Sequence, residues 1–251
     1  MIRSFADGRL MGELVGDAPP RVLALHGWGR TRRDLVGVLG PADEELSAVV
    51  LDLPGFGASP PPAEAWGSAE YAELVAQVFG DMATPVVILA HSFGGRIAVR
   101  LAASHPEAVA ALVLTGVPLL RSAKSRRPPL SFRAARSAHG IGILSDARME
   151  RFRQRYGSTD YRAAEGVMRG VLVRLVNEDY TDTLKSIHCP VTLVWGDDDD
   201  VAPTALAEQV VGVFEDGRLE LISGAGHLTP LTAPDHLLAA VLERLAPRPA
   251  G

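Results

Sequence analysis

The sequence has a single cysteine, Cys189, in 251 residues. A lone cysteine excludes an internal disulfide and any metal cluster built on cysteines. Cys189 reads as a small core residue just ahead of a strand. No apolar run approaches the roughly 20 residues of a membrane span, so stable membrane insertion is not expected. The opening residues, MIRSFADGRLMG, lack the apolar stretch of a secretory signal. These absences point to the cytoplasm. An excess of positive charge is missing too: the formal net charge is −5, which gives no reason to expect nucleic-acid binding. What remains is ordinary for a soluble enzyme, with 47% hydrophobic and 22% charged residues. The length suits one large α/β domain or a domain with an insertion. A monomer or a homodimer is expected.

The charge is unevenly spread. Between Arg121 and Arg174 stand 13 basic and four acidic residues, a net of +9. The remainder of the chain therefore carries about −14, and the contrast marks a distinct subregion.

Read in order, residues 3–5 and 10–15 suggest a hairpin around Asp7-Gly8. Apolar runs at 21–26 (RVLALH), 48–53 (AVVLDL), 86–89, 109–114 and 190–195 (PVTLVW) predict strands, with 86–89 lacking any polar face and so buried on both sides. Residues 218–222 predict the last strand. Helical spacing follows most of them: 31–39 with Thr31 as N-cap, 68–80 capped by Ser68, the stretch after Ser92 up to His105-Pro106, a helix begun by Pro203, and 232–245. From Pro118 to about His188 strand signals vanish. Met149, Phe152 and Tyr156 recur at helical spacing, as do Met168, Leu172, Leu175 and Val176. Strands alternating with helices predict a doubly wound, mainly parallel α/β sheet, with residues 118–187 as a helical insertion in a core of 1–117 and 188–251.

In such a sheet the functional loops lie at the C-terminal ends of the strands. His26, Asp52, Ser92, the aspartates 197–200 and His227 all fall at strand ends. Ser92 sits in VVILAHSFGG, between a central strand and a helix, where its hydroxyl projects above the sheet edge. A serine hydroxyl is a poor nucleophile until a base takes its proton, and the base needs a third group to hold its tautomer. His227, in the flexible loop Gly224-Ala225-Gly226-His227, is the preferred base. His91 adjoins Ser92, so its side chain points away from it. The acid is expected within Asp197-Asp198-Asp199-Asp200, because Thr115-Gly116-Val117, the other usual rim position, holds no carboxylate. Backbone amides must also stabilise a tetrahedral oxyanion. Phe93, next after the serine, supplies one, and Trp28 in the His26–Gly29 turn supplies the other. Asp52 is read as a brace for the Pro54–Gly57 turn, whose glycines take positive φ.

Five of these stretches together resemble the α/β-hydrolase superfamily. Ala90-His91-Ser92-Phe93-Gly94 is similar to its nucleophile elbow G-x-S-x-G, with alanine in place of the first glycine. His26–Gly29 resembles its oxyanion loop and Asp52–Ser59 its D-x-P-G-x-G-x-S turn. Gly196-Asp197-Asp198-Asp199 followed by Pro203 resembles its acid loop, a likeness that selects Asp199. Gly224–His227 resembles its histidine loop. The order Ser, Asp, His agrees as well. The likeness covers the chain apart from the insertion, which falls where the family carries a helical cap.

The resemblance implies a serine hydrolase of carboxylic esters of small to medium size, using Ser92, Asp199 and His227 and no metal or cofactor. Two other readings stand beside it. Carbon–carbon bond hydrolases use the same triad on carboxylated diketone-type substrates, which suits a basic cap. They usually carry asparagine where this chain has His91. Some family members are slow-turnover ligand receptors with an intact triad.

Overall fold

The computed structural model describes residues 2–40, 46–120, 130–156 and 158–246. The described elements run, in order, β1 (Ile2–Phe5), β2 (Leu10–Val15), β3 (Val22–Leu25), α1 (Arg33–Leu39), β4 (Ala48–Asp52), α2 (Ser68–Ala76), β5 (Val86–His91), α3 (Phe93–Ser104) and β6 (Val109–Thr115). Five helices follow: α4 (Leu130–Gly140), α5 (Asp146–Tyr156), α6 (Thr159–Ala163), α7 (Gly166–Leu175) and α8 (Thr181–Lys185). The chain then returns to β7 (Val191–Gly196), α9 (Thr204–Val211), β8 (Gly217–Ile222), α10 (Thr229–Thr232) and α11 (Pro234–Leu245).

The strands form one eight-stranded sheet in the order β1-β2-β4-β3-β5-β6-β7-β8. β1 and β2 pair antiparallel, as does β2 with β4. All later neighbours are parallel. The order reverses around β3, and β5 lies near the centre of the sheet. β3, β4, β5 and β7 are buried along their whole length, which is why their sequences lack alternation. One sheet face packs under α2, α3 and α9, with Leu23, Ile88, Leu101 and Val191 in that core. The other packs under α1 and α11, around Val50, Leu89, Val113 and Val241. Parallel connections then gather the loops after β3, β5, β7 and β8 on one rim.

Three expected helix starts differ from what is seen. Arg32, not Thr31, is the residue ahead of α1, and its N–H is met at 2.8 Å by Oδ1 of Asp52. Ser68 is the first residue of α2 rather than its cap. Both its N–H and its hydroxyl donate to Glu178, at 2.9 and 2.5 Å. Pro203 is the residue ahead of α9 and not within its first turn. In the first two cases the orphan donor is satisfied by an acid far away in sequence, which local pattern cannot register. Residues 77–81 form a separate 3₁₀ turn rather than the end of α2.

Asp52 does more than brace a turn. Its fully buried carboxylate takes the Arg32 N–H, the Arg32 guanidinium at 2.6 Å and the Ala58 N–H at 2.9 Å. Removing one partner of a buried pair strands the other, at a cost of about 3–5 kcal/mol. Asp52→Ala should lower the urea midpoint of unfolding accordingly. A midpoint within the range of surface substitutions would refute this role.

Between β6 and β7 the described chain is helical, as its sequence predicts. The α5 stripe has Met149 buried, Phe152 half-buried and Tyr156 at the surface. On α7 the inward stripe is Val171, Leu172 and Leu175, whereas Val176 is 58% exposed. Val176 lies just past the last helical residue, so it leaves the expected face. These helices are fastened to the sheet layers at several points. Glu178 joins Ser68 and the Tyr180 hydroxyl. Arg100 of α3 lies over the Tyr180 ring and donates to Thr183 at 2.5 Å. Arg174 pairs with Glu70. Arg121, Lys124, Arg126 and Arg127 of the basic segment lie outside the described residues.

Candidate active site

The turn from β5 to α3 holds Ser92 at φ 48° and ψ −108°. A non-glycine residue there is strained by about 1–3 kcal/mol, which surrounding structure must hold in place. Two hydrogen bonds do so. The Ser92 N–H donates to the Thr115 carbonyl at 2.9 Å, and the Gly94 N–H to the His26 carbonyl at 3.0 Å. A Cβ on Gly94 would overlap the Leu25 carbonyl, so the helix can approach β3 only with glycine at that position. Phe93, Gly94 and Gly95 are buried behind the serine.

The loop after β8 brings His227 to Ser92. Nε2 of His227 lies 3.1 Å from the Ser92 hydroxyl oxygen, and Nδ1 lies 2.8 Å from Oδ2 of Asp199. Of the four aspartates only Asp199 is buried; Asp197, Asp198 and Asp200 are exposed. Its other oxygen, Oδ1, accepts the N–H groups of Val201 and Ala202 at 2.9 and 2.7 Å. Both oxygens are thereby assigned. Asp197 serves a different purpose. Its carboxylate accepts the Gly224 N–H at 2.7 Å and ties the acid loop to the histidine loop. The Asp198 N–H adds a bond to the Ala225 carbonyl. Gly116, φ 61°, lies against the pair, and a Cβ there would come within 3.0 Å of the His227 ring and 3.3 Å of Oδ2 of Asp199. The segment 115–117, which holds no carboxylate, contributes this space instead.

Two further histidines stand at the site, His26 on the rim where the sequence puts it and His91 turned from Ser92, and the sequence signals neither one's hydrogen-bond partner. His91 points away from Ser92, as strand alternation requires, and lies beside His227 with ring centroids 5.0 Å apart. Its Nε2 is 2.9 Å from the His227 carbonyl, an acceptor only, so Nε2 carries the proton. His26 donates from Nδ1 to the Gly27 carbonyl at 2.7 Å and accepts the Leu53 N–H on Nε2 at 2.9 Å. That pattern needs a neutral ring. It joins the loop after β3 to the turn after β4.

Burial, first of all, pushes both histidines down to about 4; for His91 the neighbouring His227 adds to this. In the unfolded chain they titrate near 6.5. Between these values the unfolded chain holds more protons than the folded one, so stability falls as pH falls. The contribution is complete above about 6.5 and lost on the way down to about 4, at most roughly 3 kcal/mol per ring. Urea midpoints measured from pH 7 to pH 4.5 should drop steeply in this window. A flat profile would be incompatible with two neutral buried rings.

Beside the serine stands an aromatic wall. Trp28 packs edge-on to Phe56 at 4.9 Å and to Phe93 at 5.5 Å, and Phe93 meets Tyr71 at 5.1 Å. The Tyr71 hydroxyl donates to the Pro54 carbonyl at 3.0 Å. From the helical segment, Tyr161, Ala164 and Leu172 pack with Trp28, and Met168 lies over Gly55. The helices α6 and α7 thus roof the loops after β3 and β4. The main-chain N–H groups of Trp28 and Phe93 make no hydrogen bond among the described residues. The described residues contain no group of three or more histidine, cysteine or acidic side chains placed to hold a metal ion.

A hydroxyl, an imidazole and a carboxylate in one hydrogen-bonded chain, next to unpaired amides, can support nucleophilic attack on a carbonyl. Residues 22–241 match the model of the Alpha/beta hydrolase family. Over 244 residues the chain is 27% identical to a pimeloyl-[acyl-carrier protein] methyl ester esterase of Aromatoleum aromaticum, covering 86% of this chain and 94% of that protein. It is 27% identical over 260 residues to lipase LipV of Mycobacterium tuberculosis, covering 92% and 95%. A thermophilic esterase from Thermogutta terrifontis superposes with a TM-score of 0.72 at 22% identity, covering 98% of each chain, a likeness that shows the fold. The eight-stranded, mainly parallel sheet and the match over residues 22–241 have one reading: the chain belongs to the alpha/beta hydrolase family.

Proposed function

We propose that the protein is a serine hydrolase that cleaves carboxylic esters of small to medium size. The observation that carries this reading is the continuous chain Ser92–His227–Asp199, with spacings of 3.1 and 2.8 Å. His227 takes the Ser92 proton as the serine oxygen attacks the ester carbonyl. The tetrahedral oxyanion is held by the Trp28 and Phe93 amides, whose lack of other partners among the described residues supports that assignment. As the C–O bond breaks, His227 returns the proton to the leaving alcohol. Water, deprotonated by His227, then hydrolyses the acyl-enzyme and frees Ser92. Asp199 holds the imidazole in the Nδ1–H tautomer and stabilises its charged form. The steps use side chains, backbone amides and water alone. Residues 118–187 act as a cap inserted in a core of 1–117 and 188–251. The packing of Trp28 against Tyr161, Ala164 and Leu172 supports a substrate pocket beneath it with an apolar lining. Among the described residues no helix is long and apolar enough to cross a membrane. The relatives named as an esterase and a lipase favour an ester over other acyl substrates.

The test is a panel of esters, thioesters and vinylogous diketones. Multiple turnovers on esters, with a fluorophosphonate labelling Ser92 stoichiometrically, are expected. Turnover confined to the diketones would replace the ester reading with carbon–carbon hydrolysis. A single acylation without release would favour a receptor.

A further inference from the structure

We propose that the tip of the α4–α5 hairpin is a contact site for an anionic lipid surface. The two helices are joined by 141–145, and that turn carries Ile141 and Ile143, which are 73% and 75% exposed. They are the most exposed large hydrophobic side chains among the described residues. The turn is nevertheless well built. Ile143 and Leu144 donate their N–H groups to the Ala138 carbonyl, Ile141 to Ser137 and Gly142 to His139. Both isoleucines are thus held outward by backbone bonds within the hairpin. The hairpin itself is anchored below, where Glu150 accepts from the Tyr161 hydroxyl and from Arg169, each at 2.9 Å.

Charge surrounds the apolar tip. Residues 130–156 contain six arginines against Asp146 and Glu150. Arg133, Arg136, Arg148 and Arg151 are exposed and form no ion pair among the described residues. Arg136 and Arg148 stand about one helical turn from the isoleucines, or roughly 5–8 Å along each helix. Long arginine side chains reach phosphate oxygens from there while their stems stay on apolar surface. Isoleucine at the tip and cations one turn behind match the layering of a bilayer, acyl chains beneath charged headgroups. A convex pair of side chains also fits a soft surface that can part around it. An acidic protein would have to offer a matching apolar socket. The wider charge distribution acts in the same sense. The described residues from 130 to 174 carry nine basic against four acidic side chains in a chain of net charge −5, so an anionic plane attracts this part of the molecule more than the rest.

The inference does not depend on the ester-hydrolase reading, because none of these residues is in the proposed chemistry. Both wild type and Ser92→Ala should therefore sediment with phosphatidylcholine vesicles containing phosphatidylglycerol at low salt, and not with phosphatidylcholine alone. High salt should weaken binding by about tenfold or more. Arg136→Glu with Arg148→Glu should do the same, and so should Ile141→Ser with Ile143→Ser. Each double variant should keep the wild-type melting temperature. Absence of sedimentation at low salt overturns the assignment. So does binding that ignores the isoleucine pair, or equal binding to neutral vesicles. Arginine-dependent binding to polyglutamate with no vesicle binding would replace the lipid by an acidic protein.

Discussion

Ser92→Ala should reduce kcat on an ester by about 10⁵–10⁶ and leave the fold intact. Two separate arguments give this size and this selectivity. On the chemical side, among the described residues no other hydroxyl is hydrogen-bonded to Nε2 of His227. His227 still reaches the site with Nε2, so residual rate comes only from binding, the Trp28 and Phe93 amides and base-assisted attack of water. On the structural side, the Ser92 hydroxyl bonds only to Nε2 of His227 among the described residues. The bonds that hold the elbow come from its backbone and from Gly94, and alanine preserves both. The strained φ of 48° is no worse for alanine than for serine. Ser92→Gly, which relaxes that φ, should be equally inactive and melt no lower than the alanine variant. Steady-state kinetics with calorimetry on the same preparations decides the matter. Activity within tenfold of wild type would remove Ser92 as nucleophile.

Much of this arrangement can be read without a structure, for a physical reason. Strands buried on both faces have no polar side, so β3, β4, β5 and β7 stand out as apolar runs. The parallel rule then sends their C-terminal ends to one rim. Ser92 and His227 stand beside glycines at the ends of apolar runs, which marks them as turn residues and not as continued strand. The failures share a different cause. Thr31 and Ser68 have the composition of caps, yet the acceptors at these helix starts are Asp52 and Glu178, 20 and 110 residues from Arg32 and Ser68. Composition alone does not separate four adjacent aspartates, and only the spacing from Gly196 to Pro203 singles out Asp199 in the sequence. In the structure the same residue is set apart by burial and by the amides of Val201 and Ala202. The bond from His91 to the His227 carbonyl spans 136 residues and has no sequence signal beyond the direction of one side chain.

Asp199→Asn should lower kcat by about 10⁴ with little change in KM. Changing Asp198 or Asp200 to asparagine should alter it by no more than about twofold, since both are solvent-exposed. The large effect does not come from losing charge alone. Two backbone N–H groups, of Val201 and Ala202, converge on Oδ1. Only an oxygen can accept them, so the asparagine carbonyl must take that place. Its NH₂ group is then forced into the position of Oδ2, 2.8 Å from Nδ1 of His227. There it can only donate, and Nδ1 must accept. The neutral imidazole moves its proton to Nε2, the nitrogen that faces the Ser92 hydroxyl at 3.1 Å. A base with its proton on the wrong nitrogen cannot deprotonate the serine, although every heavy atom stays where it was. Long-range ¹⁵N–¹H spectra of the imidazole test this directly. Wild type should show the Nδ1–H tautomer and Asp199→Asn the Nε2–H tautomer, at an unchanged melting temperature to within a few degrees. Retention of Nδ1–H with full activity would assign the orienting role elsewhere. An inactive variant that keeps Nδ1–H would instead place the whole effect on the lost charge.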